Sequence, residues 1–477
     1  MDNLQAIMPM LIVTLAAMAT MLAEAFRRKD ERMPIGGLGV IGLVGAIAAA
    51  GLLWDRNAVG FGVIQADNFS LFVTVVVAVI GLFTIMFSSE VVEREGIPSG
   101  EYYTLTLFSV VGMMMMASAT DLLVIFIALE IMSIAVYVLT GIKRTDAAGT
   151  EASFKYFLLG SFSSAFFLYG IAFSYAVSGS TRLDALSTAI AQSASAPGPM
   201  VWLAMGLLLV GFAFKVSAVP FHMWTPDAYE GAPTVVTGFM STGVKAAAVA
   251  AFLRVFLSAF EPLRGDWTQL LTWIAMLTMV VGTVVGVAQT NVKRMLAYSS
   301  IAHAGYLLAG IIAASAIGKS AVLFYLASYA VANVGAFGVI AFIATRERNT
   351  GELTDFTGLW YAKPMLAVLM AVFLLSLGGF PPMAGFIAKW YIFAAAVNEG
   401  FYTLAIVGVL TSVVSVFFYL RIVVMMFMSS NKAELEVPPF GIVGTLGLAL
   451  AAIATFYLGI LPTRLIDLAT QSISTIF

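Results

Sequence analysis

Apolar residues in this chain fall in long unbroken runs, not in the alternation of a half-buried strand or the narrow stripe of a surface helix. Runs near the ~20 residues that a helix needs to cross a bilayer lie at 4–25, 35–54, 69–89, 102–118, 121–141, 153–178, 200–219, 234–258, 267–289, 296–316, 320–344, 365–397, 402–427 and 439–461. They predict about fourteen membrane helices and an all-α polytopic fold. The fourth and fifth runs meet at Ala119–Asp121 with almost no loop. Two other runs are interrupted. The seventh carries Lys215 and meets Pro220, followed by a polar-aromatic connector that ends at Pro233. The twelfth is too long for one straight span and contains Gly378, Gly379, Pro381 and Pro382. Proline removes a backbone donor and clashes with the preceding turn, so both helices should break inside the membrane.

The paired breaks suggest duplication. Spans 4–8 and 9–13 form two five-helix units, each with its fourth helix broken. An odd number of helices per unit forces the second copy to be inverted, and interruptions paired in this way point to a transport site near the midplane. The chain then divides into a three-helix segment (1–101), a first repeat (102–258), a second repeat (259–430) and a C-terminal helix (431–477). Aligning Pro220 with Pro381 sets Ser376 opposite Lys215, whereas Lys389 lies beyond its own break.

Composition agrees with a membrane protein. Of 477 residues, 61% are hydrophobic and 10% charged, against about a quarter charged in soluble domains. A net charge of -2 argues against a nucleic-acid partner. Fourteen Lys and Arg fall in loops after odd-numbered spans and five in loops after even-numbered ones. Both termini should therefore face outward. The first apolar run precedes its basic cluster, Arg27, Arg28, Lys29 and Arg32, the reverse of a cleaved leader, and reads as a retained helix. Cysteine is absent, which excludes disulfides, zinc–thiolate sites and iron–sulfur clusters held by this chain.

Charge inside the spans carries the candidate chemistry. A lysine at mid-span costs about 2.5–3.5 kcal/mol on insertion scales and marks function by default. Lys215 reads as a protonatable amine, with a helix-end lysine reaching interfacial water as the plain alternative. Glu130 is the acid deep in an apolar span and should pair with a buried cation, Lys215 first; a structural ion pair is the alternative. Lys245 lies among small residues that leave room for water. Lys389 precedes Trp390, which also suits an interface anchor. His303, with Ser299, Ser300 and Tyr306 nearby, can relay a proton or be a satisfied core histidine. His222 reads as part of the connector, Asp227 and Glu230 as capping or solvated acids, and Glu24 as the helix-end partner of Arg27 and Arg28. Met113 to Met116 read as packing, and Gly282 and Gly286 form a G-x-x-x-G packing pattern. Phosphate loops, dinucleotide fingerprints and hydrolase motifs are missing.

F-K-V-S-A-V-P-F-H-M-W-T-P-D-A-Y-E-G-A-P-T, followed by Lys245, resembles the antiporter-like subunits of respiratory complex I and of Mrp-type cation/proton antiporters. K-R-M-L-A-Y-S-S-I-A-H-A-G-Y and S-L-G-G-F-P-P-M-A-G-F-I-A-K-W belong to the same pattern. Among the antiporter-like subunits the N type fits best, by His303, by Lys389 and by an end after span 14. The resemblance implies proton translocation coupled to NADH:quinone oxidoreduction on other subunits. It makes Glu130 and Lys215 a charge pair, Lys245 and His303 the central relay, and Lys389 the exit-side carrier. It also implies a bacterial inner membrane, neighbouring antiporter-like and small membrane subunits as partners, and no cofactor in this chain. FMN, iron–sulfur clusters and quinone are expected on partner subunits. A stand-alone or Mrp-type sodium/proton antiporter is the alternative, although a sodium site would want clustered carboxylates and carbonyls. A structural subunit with vestigial charges is a third reading.

Overall fold

The computed structural model describes residues 2–27, 34–194, 196–344, 351–429 and 441–476. Arg28, Lys29, Arg32, Arg346, Arg348 and Lys432, part of the loop-charge comparison, lie outside them. Each expected run coincides with a helix or a helix pair. Among the described residues, twelve helices are long and apolar enough to cross a membrane, so the chain is a multi-pass membrane protein. Ser99–Ser118 and the pair Pro364–Gly378 and Ala384–Asn398 fill the fourth and twelfth positions.

Helix boundaries follow local chemistry. Asp121 accepts hydrogen bonds from the backbone N–H groups of Leu123 and Val124, satisfying donors that a helix start leaves free. The near-loopless junction is therefore a true end and restart. Asp67, Asp146, Asn291 and Ser315 cap other spans in the same manner. The strands Ala58–Gly60 and Ile64–Ala66 form a small antiparallel hairpin that the run pattern did not predict. The apolar runs do not reach it, and its signal was the turn chemistry of Asn57 and Gly60-Phe61-Gly62.

Both interruptions are present. The seventh helix ends at Val216 and the twelfth first stops at Gly378, each about one turn before its proline. A proline ring collides with the carbonyl four residues earlier, which for Pro220 is that of Val216. Ser217 and Gly379 turn the chain with φ of 65° and 88°. The connector after Pro220 is more ordered than expected, because Trp224–Gly231 is helical. Backbone freed by the break is paired: Val219 N–H donates to Thr278 Oγ1 on the ninth span (2.9 Å), and Trp224 Nε1 donates to Phe214 O (3.0 Å).

Burial sorts the helices into centre and rim. In the most apolar 18-residue stretch of the eighth span, Thr234–Ser258, 100% of residues are buried, in those of Val292–Ala313 and Ala316–Ile343 94%, and in that of Met8–Phe26 28%. A helix apolar on all sides belongs in a core, so the eighth, tenth and eleventh spans surround the place where Lys245 and His303 lie. Within the eighth span the turn Met240–Val244, immediately before Lys245, is π-helical. Close packing of the ninth and tenth spans depends on Gly282, where a Cβ would stand 2.5 Å from the backbone nitrogen of Ala302. Gly282→Val should cost about 1–3 kcal/mol by overpacking, measured as a lower thermal midpoint of the detergent-solubilised protein. Gly286 is less crowded than Gly282, although a Cβ there would still stand a tight 3.3 Å from the Phe418 ring.

Candidate functional site

Lys215 ends the first half of the broken seventh span and is 2% exposed. Its Nζ donates to Ser133 Oγ (2.8 Å) and Tyr137 Oη (3.1 Å) on the fifth span. It also lies 5.2 Å and 5.8 Å from the ring centroids of Tyr137 and Tyr156, which favours a cation held over aromatic faces. The expected direct pair with Glu130 is not formed. Glu130 is half-buried, and its Oε1 accepts from Ser164 Oγ on the sixth span. Ser133 lies one turn further along the same helix, so Lys215 meets the fifth span one turn away from Glu130. Glu130, Ser133 and Tyr137 stand at i, i+3 and i+7 on one helical face; the serine and the tyrosine take the amine while the carboxylate turns to Ser164.

Lys245, His303 and Lys389 form a second, larger cluster. Lys245 Nζ donates to the carbonyl and the hydroxyl of Ser300. The same Ser300 Oγ accepts from Tyr329 Oη at 2.9 Å. The Tyr329 ring lies 4.9 Å from the His303 imidazole, centroid to centroid. His303 is held at both nitrogens, Nδ1 with Tyr325 Oη and Nε2 with Tyr419 Oη (3.1 Å). A neutral imidazole donates at one nitrogen and accepts at the other, and a phenol can do either, so this frame accommodates both tautomers. Beyond the imidazole, Tyr306 meets it edge-on at 5.6 Å, and Lys389 Nζ lies 5.2 Å from the Tyr306 centroid. A cavity of about 10 Å³ touches His303, Tyr325, Tyr329 and Ser376, close to the space one water needs.

The two lysines beside the breaks are used differently. Lys389, in the second half of the twelfth span, donates back to Gly378 O (3.0 Å) and to Ser412 Oγ (2.9 Å). Its amine thus satisfies a carbonyl that the break exposes. Ser376, aligned with Lys215 from sequence, accepts instead from the N–H of Gly385 (3.2 Å). The series is not continuous between Lys215 and Lys245. There Tyr156 stacks on Trp224 at 4.2 Å, and the buried Tyr156 hydroxyl has no hydrogen-bond partner among the described residues.

Several polar groups were not visible as site residues in the sequence. Tyr325 and Tyr329 recur at helical spacing on one face of the eleventh span, a signal that a stripe search would have found. Tyr419 gave none. Arg254 lies near the end of the eighth span, where its NH2 group grips both oxygens of Asp67 at 2.9 Å while Nε donates to Ala117 O at 3.0 Å. Asp227 and Glu230 are bound by Arg294 (2.8 Å each), and Asp227 also by Lys155 (3.0 Å), so they form an ion network and not helix caps. His222 is half-buried in the connector. Glu24 pairs with Arg27 at 2.7 Å. Met113, Met114 and Met116 are fully buried packing. Among the described residues, no group of three His, Asp or Glu is arranged to hold a metal ion.

Comparison with known proteins matches residues 119–415 to a family model described as NADH:quinone oxidoreductase/Mrp antiporter, TM. The chain is 44% identical to NADH-quinone oxidoreductase subunit N of Trichlorobacter lovleyi, covering 99% of this chain and 98% of that one. It is 42% identical to the subunit N of Chloroflexus aggregans, over 99% and 97%. A chain of respiratory complex I from Thermus thermophilus superposes with a TM-score of 0.82 at 35% identity, over 97% and 99%. A chain of the Mrp complex from Dietzia shares the fold, with a TM-score of 0.87 at 22% identity over 99% and 98%.

Proposed function

We propose, from the premise that this chain belongs to the NADH:quinone oxidoreductase/Mrp antiporter family, that it is a proton-translocating membrane-arm subunit of an NADH:quinone oxidoreductase. The observation that carries the reading is the buried series Lys245, Ser300, Tyr329, His303, Tyr306 and Lys389. Ionisable side chains inside a membrane bundle mark proton pathways. Here they are spaced by hydroxyls and one water-sized cavity, the parts a proton relay needs.

Lys245 accepts and releases the proton, His303 passes it on at its two held nitrogens, and Lys389 carries it towards the opposite face. Lys215 and Glu130 form the control element. Glu130 influences the amine across one helical turn, and the proton reaches Lys245 only when the aromatic gap at Tyr156 and Trp224 is bridged. The two halves are inverted repeats, 102–258 and 259–430, after a three-helix segment (1–101) and before a C-terminal helix (431–477). Both termini face the outer side of a bacterial inner membrane, a reading supported by the excess of basic residues in loops after odd-numbered spans. Electron transfer, FMN, iron–sulfur clusters and quinone belong to partner subunits, with neighbouring antiporter-like and small membrane subunits beside this chain.

Lys215→Met in the assembled oxidoreductase tests the reading. The expected result is intact assembly with fewer protons moved per electron in inverted membrane vesicles. A normal ratio with intact assembly would overturn it. A response that instead follows sodium, with this chain alone in vesicles, would assign it to the antiporter class.

A further inference from the structure

The eleventh span presents Tyr325, Tyr329 and Asn333 at successive four-residue steps, a polar stripe on a helix that is mostly apolar and buried. The first two contact His303 and Ser300. The third is 1% exposed and stands one turn beyond Tyr329, away from His303. Its Nδ2 donates to Ser241 Oγ at 2.7 Å. Its Oδ1 is buried and has no hydrogen-bond partner among the described residues. An unmet acceptor in a hydrocarbon interior is costly, and the Lys245–His303–Lys389 series leaves it unused.

Ser241 is on the same helix as Lys245, four residues before it, and the turn joining them is π-helical. Such turns are irregular insertions in an α-helix and occur often at functional positions. Asn333 thus holds an empty acceptor beside a side chain one turn from Lys245. The acceptors that the amine occupies are those of Ser300. A small cavity of about 10 Å³ lined by Gly238, Phe239, Val334 and Phe337 lies along the same two helices and leaves slack for repacking.

We propose that Asn333 Oδ1 is the second resting place of the Lys245 amine, which moves between Ser300 and Asn333 as the π-helical turn before it rewinds. This rests on the relay reading given above. At Ser300 the amine faces Tyr329 and His303. At Asn333 it faces the end of the bundle where Arg94 donates to Ala341 O. A proton taken up by the neutral amine at Asn333 leaves it again at Ser300, so the lysine returns uncharged and the movement itself gates the relay. Asn333 acts as a positioning residue, through Lys245.

Three variants in the assembled oxidoreductase separate this role from a structural one, each read as protons moved per electron in inverted membrane vesicles alongside Lys245→Met. Asn333→Leu keeps size and removes the acceptor, and should lower proton transfer by this chain about tenfold or more. Asn333→Asp keeps an acceptor in place and should restore transfer to within about threefold of the parent. Ser241→Ala removes only the bond that orients the amide, and should lose clearly less than Asn333→Leu. Parental transfer in Asn333→Leu, or losses as large in Ser241→Ala or Asn333→Asp, would overturn the proposal. If Asn333→Leu does not assemble, Asn333→Ala gives the same reading. Loss in Lys245→Met with parental transfer in Asn333→Leu removes this inference alone, whereas parental transfer in Lys245→Met removes the relay itself.

Discussion

Lys245→Met is expected to lower proton transfer by this chain on the order of a hundredfold, the scale of losing one positioned acid–base group, while the protein becomes no less stable. Methionine is unbranched and apolar and can follow the path of the lysine stem on a helix segment that is buried from Lys245 to Leu257. The amine makes no ion pair with a described acid; its partners are the Ser300 oxygens and the Tyr329 ring at 5.7 Å. Insertion of a central lysine costs about 2.5–3.5 kcal/mol, so deleting the charge relieves a burden that packing otherwise carries. A structural lysine predicts the reverse, a loss of stability with transfer unchanged. NADH-driven proton uptake by inverted vesicles, paired with a thermal melt of the purified complex, separates the two.

Arg254→Met should act almost wholly on stability. Its side chain and that of Asp67 are 3% and 0% exposed, and the guanidinium also rests 5.1 Å from the centroid of the Phe69 ring. Removing one partner leaves a buried carboxylate without its countercharge, which costs about 3–5 kcal/mol. Asp67 retains only its cap to Ser70 N–H (2.8 Å) as compensation. The pair ties the start of the third span to the end of the eighth, the helix that carries Lys245. Replacing both members, Arg254→Met with Asp67→Leu, should recover much of the loss, since a buried pair is often no better than well-packed apolar residues. Thermal midpoints of the two variants and the parent give the coupling directly.

The residues of the proposed relay and control pair were legible in the sequence because charge in a membrane run is rare. Glu130, Lys215, Lys245, His303 and Lys389 stand out against apolar neighbours, and the breaks at Pro220 and Pro381 follow from backbone chemistry alone. The partners of these groups were harder to see. Tyr419 lies on the thirteenth span, whose packing against the tenth is a tertiary fact with no local signature. The Glu130–Lys215 contact failed as a direct pair because charge complementarity fixes neither side-chain direction nor reach. Ser133 and Tyr137, polar residues on the same helix as the acid, take the amine first. Arg254 lies near a helix end, where snorkelling is the ordinary outcome; only the approach of the third span reveals its burial. The hairpin at Ala58–Ala66 and the helix Trp224–Gly231 were missed because the apolar-run pattern does not extend into either.

One measurement bears most directly on whether Lys245, His303 and Lys389 act as a single relay: protons moved per electron for Lys245→Met, Lys389→Met and the double variant. Residues that act as a unit lose little more together than singly. The relay predicts a double variant that transfers no less than the weaker single variant. Losses that multiply across the two substitutions would mean separate routes and would contradict it.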